Sequence, residues 1–364
     1  MKTAPIRVLQ IMGIVESGGV EAVIMNYYRH IDKSKVQFDF VMHKGSNQNY
    51  INEVKCMGGK VYEVTPYTKN VIKFTYEIYK IIKEGSYKIV HSNMNSLSGF
   101  SLFAAYLAGA KVRILHNHTT DTIEEGFRTI VKRMLRPFAR AFANENWACS
   151  KLAGEWMYGK EAVKNNQVTI INNAIDLDKF VFEQEKRDVL RKELDLEGKF
   201  VVGHVGRFTK AKNHEFLIDV FVEVAKQKDN AVLVLIGNGL LLDVIQNKVN
   251  KLHLTDKVIF LGVRNDVANL YNVMDVFVLP SLYEGFGLVA LEAQENGLPV
   301  IASTEVPTEV KVNEGVVFLD LNNSDQWVFE IISSQRGGHY SDFDVKFDIK
   351  LASKKVRNMY LCMK

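Results

Sequence analysis

The sequence predicts an α/β protein of two tandem domains, each built on a doubly wound parallel sheet. Its length of 364 residues suits two domains at about 150 residues each. In the first half, short apolar runs alternate with segments of helical periodicity, and the same alternation recurs from Phe200 onward. Strands separated by helices of this length must be joined by crossovers, which produce a parallel sheet.

In the first half, six apolar or β-branched runs predict strands, and apolar residues at helical spacing predict helices between them. The glycine turn at Gly18 and Gly19 separates the first strand from the first helix. The predicted strands span residues 6–12, 38–42, 60–64, 88–91, 111–116 and 168–171, and the predicted helices span residues 20–31, 49–57, 70–84, 99–108 and 127–142.

The second half repeats this order, and several of its strands end at a glycine. A helix predicted at residues 287–296 is stopped by Gly297 and Pro299. The link between the domains is predicted near residues 174–179. The predicted strands span residues 200–205, 231–236, 258–261, 276–279, 300–303 and 316–319, with a further helix at 216–227.

Charge divides unevenly between the two halves. Residues 1–174 carry 23 Lys and Arg against 14 Asp and Glu, whereas residues 175–364 carry 23 against 28. A basic first half indicates an anionic partner, such as a membrane surface or a charged substrate. Nucleic acid is not predicted as a partner, because no nucleic-acid-binding motif accompanies the charge.

The composition excludes several classes of protein. Cys56, Cys149 and Cys362 are too far apart for a disulfide framework or a spaced zinc site, which indicates a reducing compartment. No run approaches the ~18 apolar residues of a membrane span, and residues 1–12 lack a signal-peptide pattern. We therefore expect a cytoplasmic protein without a membrane span.

Basic residues follow the first strand of the second half, in residues 206–213. Ligands of open α/β sheets bind at the carboxyl ends of strands, where this segment is predicted to lie. Arg207 and Lys212 can there neutralise a diphosphate without a metal. The alternative is a solvated basic loop.

A second segment, residues 280–293, joins a predicted strand to a helix through a glycine turn. Glu292, inside the helix, can accept two hydrogen bonds from the vicinal hydroxyls of a ribose, and Glu284 in the turn can reach a sugar. The alternative for Glu284 is a helix cap. The backbone N–H groups predicted at the start of the helix, ready for an anion, belong to Phe286, Gly287 and Leu288.

Four motifs together resemble those of glycosyltransferase family 4. Glu284 and Glu292 match its E-x7-E motif, and Arg207 and Lys212 match its G-R-x4-K motif. The N-terminal glycine loop corresponds to Gly18-Gly19-Val20-Glu21, and Asn172-Asn173-Ala174-Ile175-Asp176 resembles the hinge motif N-G-I-D. Within the family, residues 261–267 and 292–294 are most similar to bacterial exopolysaccharide and capsule transferases.

The resemblance implies the GT-B fold, in which two Rossmann-like domains face each other across a cleft. It implies an acceptor-binding domain at residues 1–174, a nucleotide-sugar donor domain at 175–345 and a C-terminal helix at 346–364 that crosses back to the first domain. The implied activity is retaining, metal-independent transfer from a nucleotide diphosphate sugar, such as a UDP-sugar. The implied acceptor is a glycan or a lipid-linked saccharide.

The resemblance also implies roles for single residues. Ala174 departs from the family because it replaces the hinge glycine, so a positive φ is less favoured there. The segment 237–239 departs because it lacks the usual acidic residue. The implied catalytic residues are His118, Glu284, Arg207 and Lys212. The implied donor-binding residues are Gly18, Gly19, Arg207, Lys212, Gly237, Arg264, Glu284, Gly285, Phe286, Gly287, Leu288 and Glu292.

Three histidines close or follow strands of the first half. His118 resembles the family's histidine beside the donor sugar, and a loop histidine of no consequence is the alternative. His91 and His116 are assigned to the acceptor side. His116 and His118 alternate as zinc ligands do, but no third ligand is near them in the sequence, so we predict no metal site and no cofactor.

Other functions remain open. A nucleotide-sugar epimerase of the same fold and a non-catalytic nucleotide-sugar-binding subunit of a transferase complex are the alternatives. A dinucleotide-dependent oxidoreductase is disfavoured, because no G-x-G-x-x-G follows the first strand.

The predicted helix at 127–142 has one apolar face and a basic stripe beside it. Pro137 is expected to bend or interrupt this helix. One interpretation packs the apolar face in the core and leaves the cations solvated. The other places the stripe against a lipid-diphosphate acceptor or on an anionic membrane, as a peripheral contact at the inner face of the cell membrane. The stripe consists of Arg128, Lys132, Arg136 and Arg140, with Arg133 adding a fifth charge.

Overall fold

A computed structural model of the protein describes residues 4–16, 18–119, 127–337 and 345–363, with the side chains of residues 127–129 and 345 excepted. The chain divides into two compact units. The first consists of Met1–Ala174 and Val345–Lys364, and the second consists of Ile175–Asp344.

The strands and helices are numbered in chain order. The strands of the first unit are β1 (Ile6–Ile11), β2 (Val36–His43), β3 (Val61–Val64), β4 (Ile89–Ser92), β5 (Val112–Asn117), β6 (Glu145–Ala148) and β7 (Thr169–Ile170). Its helices before the link are α1 (Gly19–His30), α2 (Gln48–Cys56), α3 (Val71–Gly85), α4 (Ser98–Leu107), α5 (Phe127–Phe142), α6 (Lys151–Tyr158) and α7 (Lys160–Lys164).

The second unit has its own set of elements, and one further helix follows it. The strands are β8 (Phe200–Val205), β9 (Ala231–Ile236), β10 (Val258–Gly262), β11 (Val276–Leu279), β12 (Val300–Ser303) and β13 (Val316–Leu319). The helices are α8 (Leu177–Phe180), α9 (Gln184–Glu193), α10 (His214–Gln227), α11 (Leu242–Lys251), α12 (Val267–Leu270), α13 (Leu288–Glu295), α14 (Ser324–Ser333) and α15 (Ile349–Cys362).

The first unit is built on a seven-stranded parallel sheet in the order β3-β2-β1-β4-β5-β6-β7. β2 and β4 are buried along their whole length, because helices cover both faces of a parallel sheet. The order reverses between β1 and β4. Loops that follow these two strands therefore emerge side by side, where ligands of such sheets bind.

The C-terminal helix α15 belongs to the first unit, as the family resemblance implies. It packs along α1, where Ser353 Oγ donates to the carbonyl oxygen of His30 at 3.3 Å. Tyr360 is fully buried in the core of the unit, with its hydroxyl among polar side chains of the sheet. Residues 349–362 thus complete a core whose strands lie at the other end of the sequence.

The second unit has a six-stranded parallel sheet in the order β10-β9-β8-β11-β12-β13. β8 and β11 are neighbours, and the order reverses between them. The loops after β8 and β11 therefore share one edge of the sheet. With two such sheets in tandem, the predicted fold class is confirmed.

Several elements differ from the sequence-based expectation. β6 was not predicted, because its four residues, Glu145–Ala148, are half polar. The strand expected at 168–171 is shorter, at Thr169–Ile170. α5 continues through Pro137, so the helix is not interrupted there. Pro137 is exposed, so the carbonyl group that loses its helical partner can bind water.

Candidate active site

Two loops of the second unit bring the basic and acidic motifs into contact. Lys212 ends a 3-10 turn after β8, and Glu284 lies in the loop between β11 and α13. Lys212 Nζ donates to Glu284 Oε2, and Ser281 Oγ lies 3.4 Å from the same oxygen. The side chains of Lys212 and Glu284 are only 18% and 17% exposed. The two motifs therefore form one charged site at the edge of the sheet.

Arg207 lies in the same loop as Lys212 but is exposed. Within the part of the chain that the structure describes, its guanidinium forms no hydrogen bond or ion pair. An arginine without a carboxylate partner can give its donors to an anionic ligand. Arg207 thus differs from Lys212, whose charge is already balanced by Glu284.

Gly237 shapes this loop through its backbone. Its φ of 138° is one that residues with a side chain rarely adopt, and a Cβ there would meet the carbonyl oxygen of Gly206. The Gly237 N–H already donates to the carbonyl oxygen of Gly262 at 2.8 Å. The residue therefore permits a close approach of two loops rather than offering a free donor.

The N-terminus of α13 lies beside Glu284. Gly287 is its cap residue, with a φ of 90° that favours glycine, and it follows Gly285 and the buried Phe286. The N–H groups of Gly287 and Leu288 donate to no acceptor among the residues described. Unpaired N–H groups at a helix N-terminus bind anions.

Glu292 lies one turn further along α13, half-buried against Tyr271. The Tyr271 hydroxyl donates to Glu292 Oε2 at 2.7 Å. Burial raises the pKa of Glu292 to about 7, and the hydrogen bond from Tyr271 acts in the opposite direction. Sequence reasoning missed Tyr271, because the two residues lie 21 positions apart and no local pattern links them.

Arg264 is engaged by its own neighbour. Its Nε and Nη2 donate to the two carboxylate oxygens of Asp266 at 2.8 and 2.7 Å, on the surface after β10. A donor could use Arg264 only by sharing or replacing this contact, so its donor-binding role stays a prediction.

Two buried histidines lie beneath the loop that carries Lys212. His204 Nδ1 bonds to the carbonyl oxygen of Val278 at 2.8 Å, and the ring of His214 stacks on Phe208 at 4.1 Å. Burial lowers the pKa of His204 to about 4 and that of His214 to about 2, with the Lys212 charge as a lesser cause. Both rings are therefore neutral and add no charge under the loop.

In the first unit, His91 and His116 belong to one buried hydrogen-bond network. Asn93 Nδ2 donates to Gln10 Oε1 at 2.9 Å, and Gln10 Nε2 donates to Tyr360 Oη at 3.2 Å. Tyr360 therefore gives its own hydrogen to His91 Nδ1, at 2.6 Å. His91 Nε2 in turn donates to His116 Nδ1 at 3.0 Å. Both ring nitrogens of His91 are engaged, so an acceptor could bond to them only by replacing one of these contacts, and the acceptor-side assignment of His91 stays a prediction.

His118 joins the same network through Asn93. His118 Nε2 donates to Asn93 Oδ1 at 3.0 Å, which leaves His118 Nδ1 as an acceptor. That atom and His116 Nε2 are buried without a hydrogen-bond partner. Burial lowers the pKa of His118 to about 3, and burial also lowers the pKa of His91 and His116. The three rings are therefore neutral, and two of them retain a free nitrogen.

The glycine loop of the first unit begins α1. Gly18 is the N-cap residue of the helix, and Gly19 is its first residue. A Cβ at Gly18 would meet the carboxylate of Glu21, which folds back over the loop. Glycine at position 18 thus makes room for this carboxylate.

A pocket of about 560 Å³ opens at the carboxyl ends of β1, β2, β3 and β4. Apart from Glu21 of the glycine-loop motif, sequence reasoning missed its polar residues, because they lie at the ends of separate strands and in the loops that follow them, without a common motif. The polar lining residues are Glu21, His43, Lys44, Tyr67, Thr68, Lys69 and Asn93.

The apolar face of α5 is packed in one half of the helix and exposed in the other. Phe138 and Phe142 pack against Phe103 of α4, with ring centroids 6.4 and 5.0 Å apart. Ile130 and Met134, two turns earlier, are 55% and 74% exposed. The interpretation that the apolar face packs in the core therefore holds only for the second half of the helix.

The basic residues of the α5 stripe also differ in their surroundings. Arg136 Nη1 donates to the Trp156 carbonyl oxygen, and its guanidinium lies 5.0 Å from the Trp156 ring. Lys132 is half-buried and Arg140 is exposed. The Arg128 side chain lies outside the described residues. No helix among the described residues is long and apolar enough to span a membrane.

Two family models match the chain. Residues 17–179 match Glycosyltransferase Family 4, and residues 186–334 match Glycosyl transferases group 1. A solved structure of Anabaena HepE with UDP and glucose has a TM-score of 0.82, at 19% identity over 98% of this chain and 100% of that one. This likeness shows the shared fold.

Two relatives are more similar in sequence. A Bacillus subtilis (strain 168) protein named glycosyltransferase EpsF is 34% identical over 323 residues, or 87% of this chain and 84% of the relative. An Escherichia coli protein named UDP-Gal:alpha-D-GlcNAc-diphosphoundecaprenol alpha-1,3-galactosyltransferase is 31% identical over 72% of this chain and 70% of its own length. The chain therefore belongs to glycosyltransferase family 4 and has the GT-B fold.

Proposed function

We propose that the chain is a retaining, metal-independent hexosyltransferase that moves a sugar from a UDP-sugar to a glycan or lipid-linked saccharide. The contact between Lys212 and Glu284 beside the N-terminus of α13 carries this proposal, because it joins a cation, a carboxylate and free N–H groups at one edge. The names of relatives support exopolysaccharide or capsule synthesis, since they include EpsF and the capsular polysaccharide glycosyltransferase CapM of Staphylococcus aureus.

The leaving diphosphate is the centre of the proposed mechanism. Arg207 and Lys212 offset the charge that grows on it as the bond to the sugar breaks, and the N–H groups of Gly287 and Leu288 add to this effect. Because the charge is larger in the transition state than in the bound donor, these contacts accelerate the reaction as well as bind. Support comes from HepE, whose structure was solved with UDP.

Other residues orient the donor. Glu292 accepts hydrogen bonds from the ribose, and Tyr271 keeps its carboxylate in place. Glu284 accepts hydrogen bonds from the transferred sugar while its contact with Lys212 fixes the loop. His118 contributes an unprotonated Nδ1, which can accept a hydrogen bond from a sugar hydroxyl.

Product analysis tests this function against its alternatives. The purified chain is first screened with UDP-galactose, UDP-glucose and UDP-N-acetylglucosamine by thermal shift, since a ligand of the native state raises its melting temperature. The stabilising donor is then incubated with and without a saccharide acceptor, with and without EDTA. We expect an α-linked product by NMR that needs acceptor and survives EDTA. A changed sugar without acceptor would identify an epimerase, and binding without turnover a non-catalytic subunit.

The raised pKa of Glu292 predicts a pH-dependent affinity for the donor. Ribose hydroxyls donate to the ionised carboxylate, so the donor binds the form that predominates above pH 7. With a pKa of about 7, the apparent affinity for a UDP-sugar should rise about tenfold between pH 6 and pH 8, as the ionised fraction does. Calorimetry over this range measures it.

Two variants control for other titrating groups. Glu292→Gln should bind more weakly and with no rise over this range. Tyr271→Phe should shift the rise to higher pH. The hydrogen bond from Tyr271 stabilises the ionised carboxylate, so removing it raises the pKa of Glu292 further. A pH-independent affinity in the wild-type protein would contradict the role of Glu292.

We also propose that the first half of α5 rests on an anionic membrane surface at the inner face of the cell membrane. Ile130 and Met134 are exposed beside Lys132 and Arg133, which is the composition of an interfacial helix. Arg136 is excluded from this contact, because it points toward Trp156. A peripheral contact of this kind would bring a lipid-linked acceptor to the enzyme.

Sedimentation with phosphatidylglycerol vesicles measures this contact. At roughly 1 kcal/mol per basic residue near the surface, the wild-type protein should sediment at low salt and be released at high salt. A Lys132/Arg133/Arg140→Gln variant should stay in the supernatant. Lys55/Lys80/Lys83→Gln, with the same charge change elsewhere on the unit, should still sediment. Equal sedimentation of the two variants would rule out α5 as the contact.

A further inference from the structure

The pocket at the ends of β1–β4 has a mixed chemical lining. Its volume of about 560 Å³ lies within the range of small-molecule sites. Among its lining residues, Glu21 carries a negative charge and Lys44 and Lys69 carry positive ones. The excess of positive charge favours an anionic ligand.

The two lysines are available to such a ligand. Lys44 follows β2, with its backbone N–H bonded to the carbonyl oxygen of Val64, and Lys69 lies in the loop that leads to α3. Both side chains are exposed, and no carboxylate of the described residues pairs with either of them. Elsewhere in the unit, by contrast, Lys35 and Lys80 form ion pairs with acidic neighbours.

The wall of the pocket suits a saccharide. Tyr67 and His43 line the pocket with their rings 5.3 Å apart, and the buried ring of Phe74 packs 6.1 Å from that of Tyr67. His43 lines the pocket at 4% exposure, and its Nε2 has no hydrogen-bond partner. Burial lowers the pKa of His43, so the ring is neutral and can bond to a hydroxyl. Glu21 offers oxygens to further hydroxyls.

The pocket borders the histidine network. Asn93 lines the pocket and also accepts the hydrogen bond of His118 Nε2 at 3.0 Å. A ligand in the pocket therefore lies one side chain away from His118, which the proposed function places beside the transferred sugar. A hydroxyl of that ligand would be near the reaction.

We propose that this pocket binds the acceptor saccharide through its aromatic wall, with Lys44 and Lys69 binding a phosphate or diphosphate group attached to that saccharide. The acceptor role of the pocket rests on the proposed function, whereas its ability to bind an anion does not. It predicts that the enzyme distinguishes acceptors by their phosphate and not by their sugar alone.

Kinetics with matched acceptors tests the proposal. The two probes are octyl α-N-acetylglucosaminide and the α-N-acetylglucosaminyl diphosphate of a short prenol. In a Lys44→Gln/Lys69→Gln variant, we expect KM for the diphosphate acceptor to rise at least about tenfold, as for the loss of charge-assisted hydrogen bonds. KM for the neutral glycoside and for the UDP-sugar should stay within about twofold of wild type, as for lysines that contact neither.

The control variant is Lys55→Gln/Lys83→Gln, which removes two exposed lysines of the same unit outside the pocket. It should leave every KM unchanged. Equal effects of the pocket variant on both acceptors, or no effect on either, would overturn the proposal. A Tyr67→Ala variant should raise KM for both acceptors alike, since it removes the shared saccharide surface.

Pyrophosphate binding separates this proposal from the proposed function. Calorimetry on the full chain, with UDP saturating the donor site, should detect pyrophosphate binding in wild type and in the control variant. It should detect none in Lys44→Gln/Lys69→Gln. This result supports the anion site even if no transfer is found, whereas binding that survives in the pocket variant overturns it. Lysine-dependent binding without any preference between the two acceptors would overturn the acceptor role.

Discussion

Replacing Arg207 with Ala should reduce glycosyl transfer by about 10²-fold or more, the effect of losing a donor that stabilises transition-state charge. Because the Arg207 side chain is exposed and its guanidinium bonds to no described residue, the melting temperature should stay close to that of wild type. Lys212→Ala should reduce transfer by a similar factor. Steady-state rates with a saturating donor and acceptor measure both effects.

The two variants should differ in stability. Lys212→Ala leaves Glu284 largely buried without its cation, so its melting temperature should fall. Lys210→Ala is the matched control, since it removes an exposed cation from the same loop. We expect near wild-type turnover from it. Unchanged turnover in both Arg207→Ala and Lys212→Ala would refute the diphosphate site.

Glu284→Ala should reduce the transfer rate by about 10²-fold through its contact with the sugar, in the range of other lost transition-state contacts. The affinity for UDP, which lacks the sugar, should change little. Glu292→Ala should show the reverse pattern, with weaker UDP binding, because its carboxylate contacts the ribose. Calorimetry with UDP, alongside rates with the UDP-sugar, separates the two roles.

One result would contradict the separate roles of Glu284 and Glu292. If Glu284→Ala and Glu292→Ala weaken UDP binding equally, the two carboxylates do not contact different parts of the donor. A Glu284→Gln variant keeps the volume of the side chain and removes its charge. It should remain as impaired as Glu284→Ala if the ionised form is needed to hold Lys212.

Local sequence patterns were sufficient for most of the fold and for the second-unit motifs. The order of apolar runs and turns identified all six strands of the second sheet, because buried parallel strands are continuous and apolar. The loops after β8 and β11 carry motifs short enough to read directly. Their contact through Lys212 and Glu284 follows from the neighbouring positions of β8 and β11.

The remainder depends on contacts between distant parts of the chain. Tyr360 and Gln10 are 350 positions apart, so no periodicity could link the C-terminal helix to the histidines. The sequence position of His91 likewise gave no sign that both of its ring nitrogens bond to buried side chains. On α5, one helical pattern covers both packed and exposed apolar residues, and only tertiary packing separates Phe138 from Met134.

Because the C-terminal helix belongs to the first unit, the two units are completed at different times during synthesis. The second unit is encoded without interruption from Ile175 to Asp344, so a ribosome delivers all of it before Tyr360 is added. Until then the core of the first unit lacks that ring, and His91 lacks its hydroxyl partner. Because compact units fold as wholes while they are synthesised, the second unit is finished first. The growing chain thus completes its two halves in the reverse of their order in the gene.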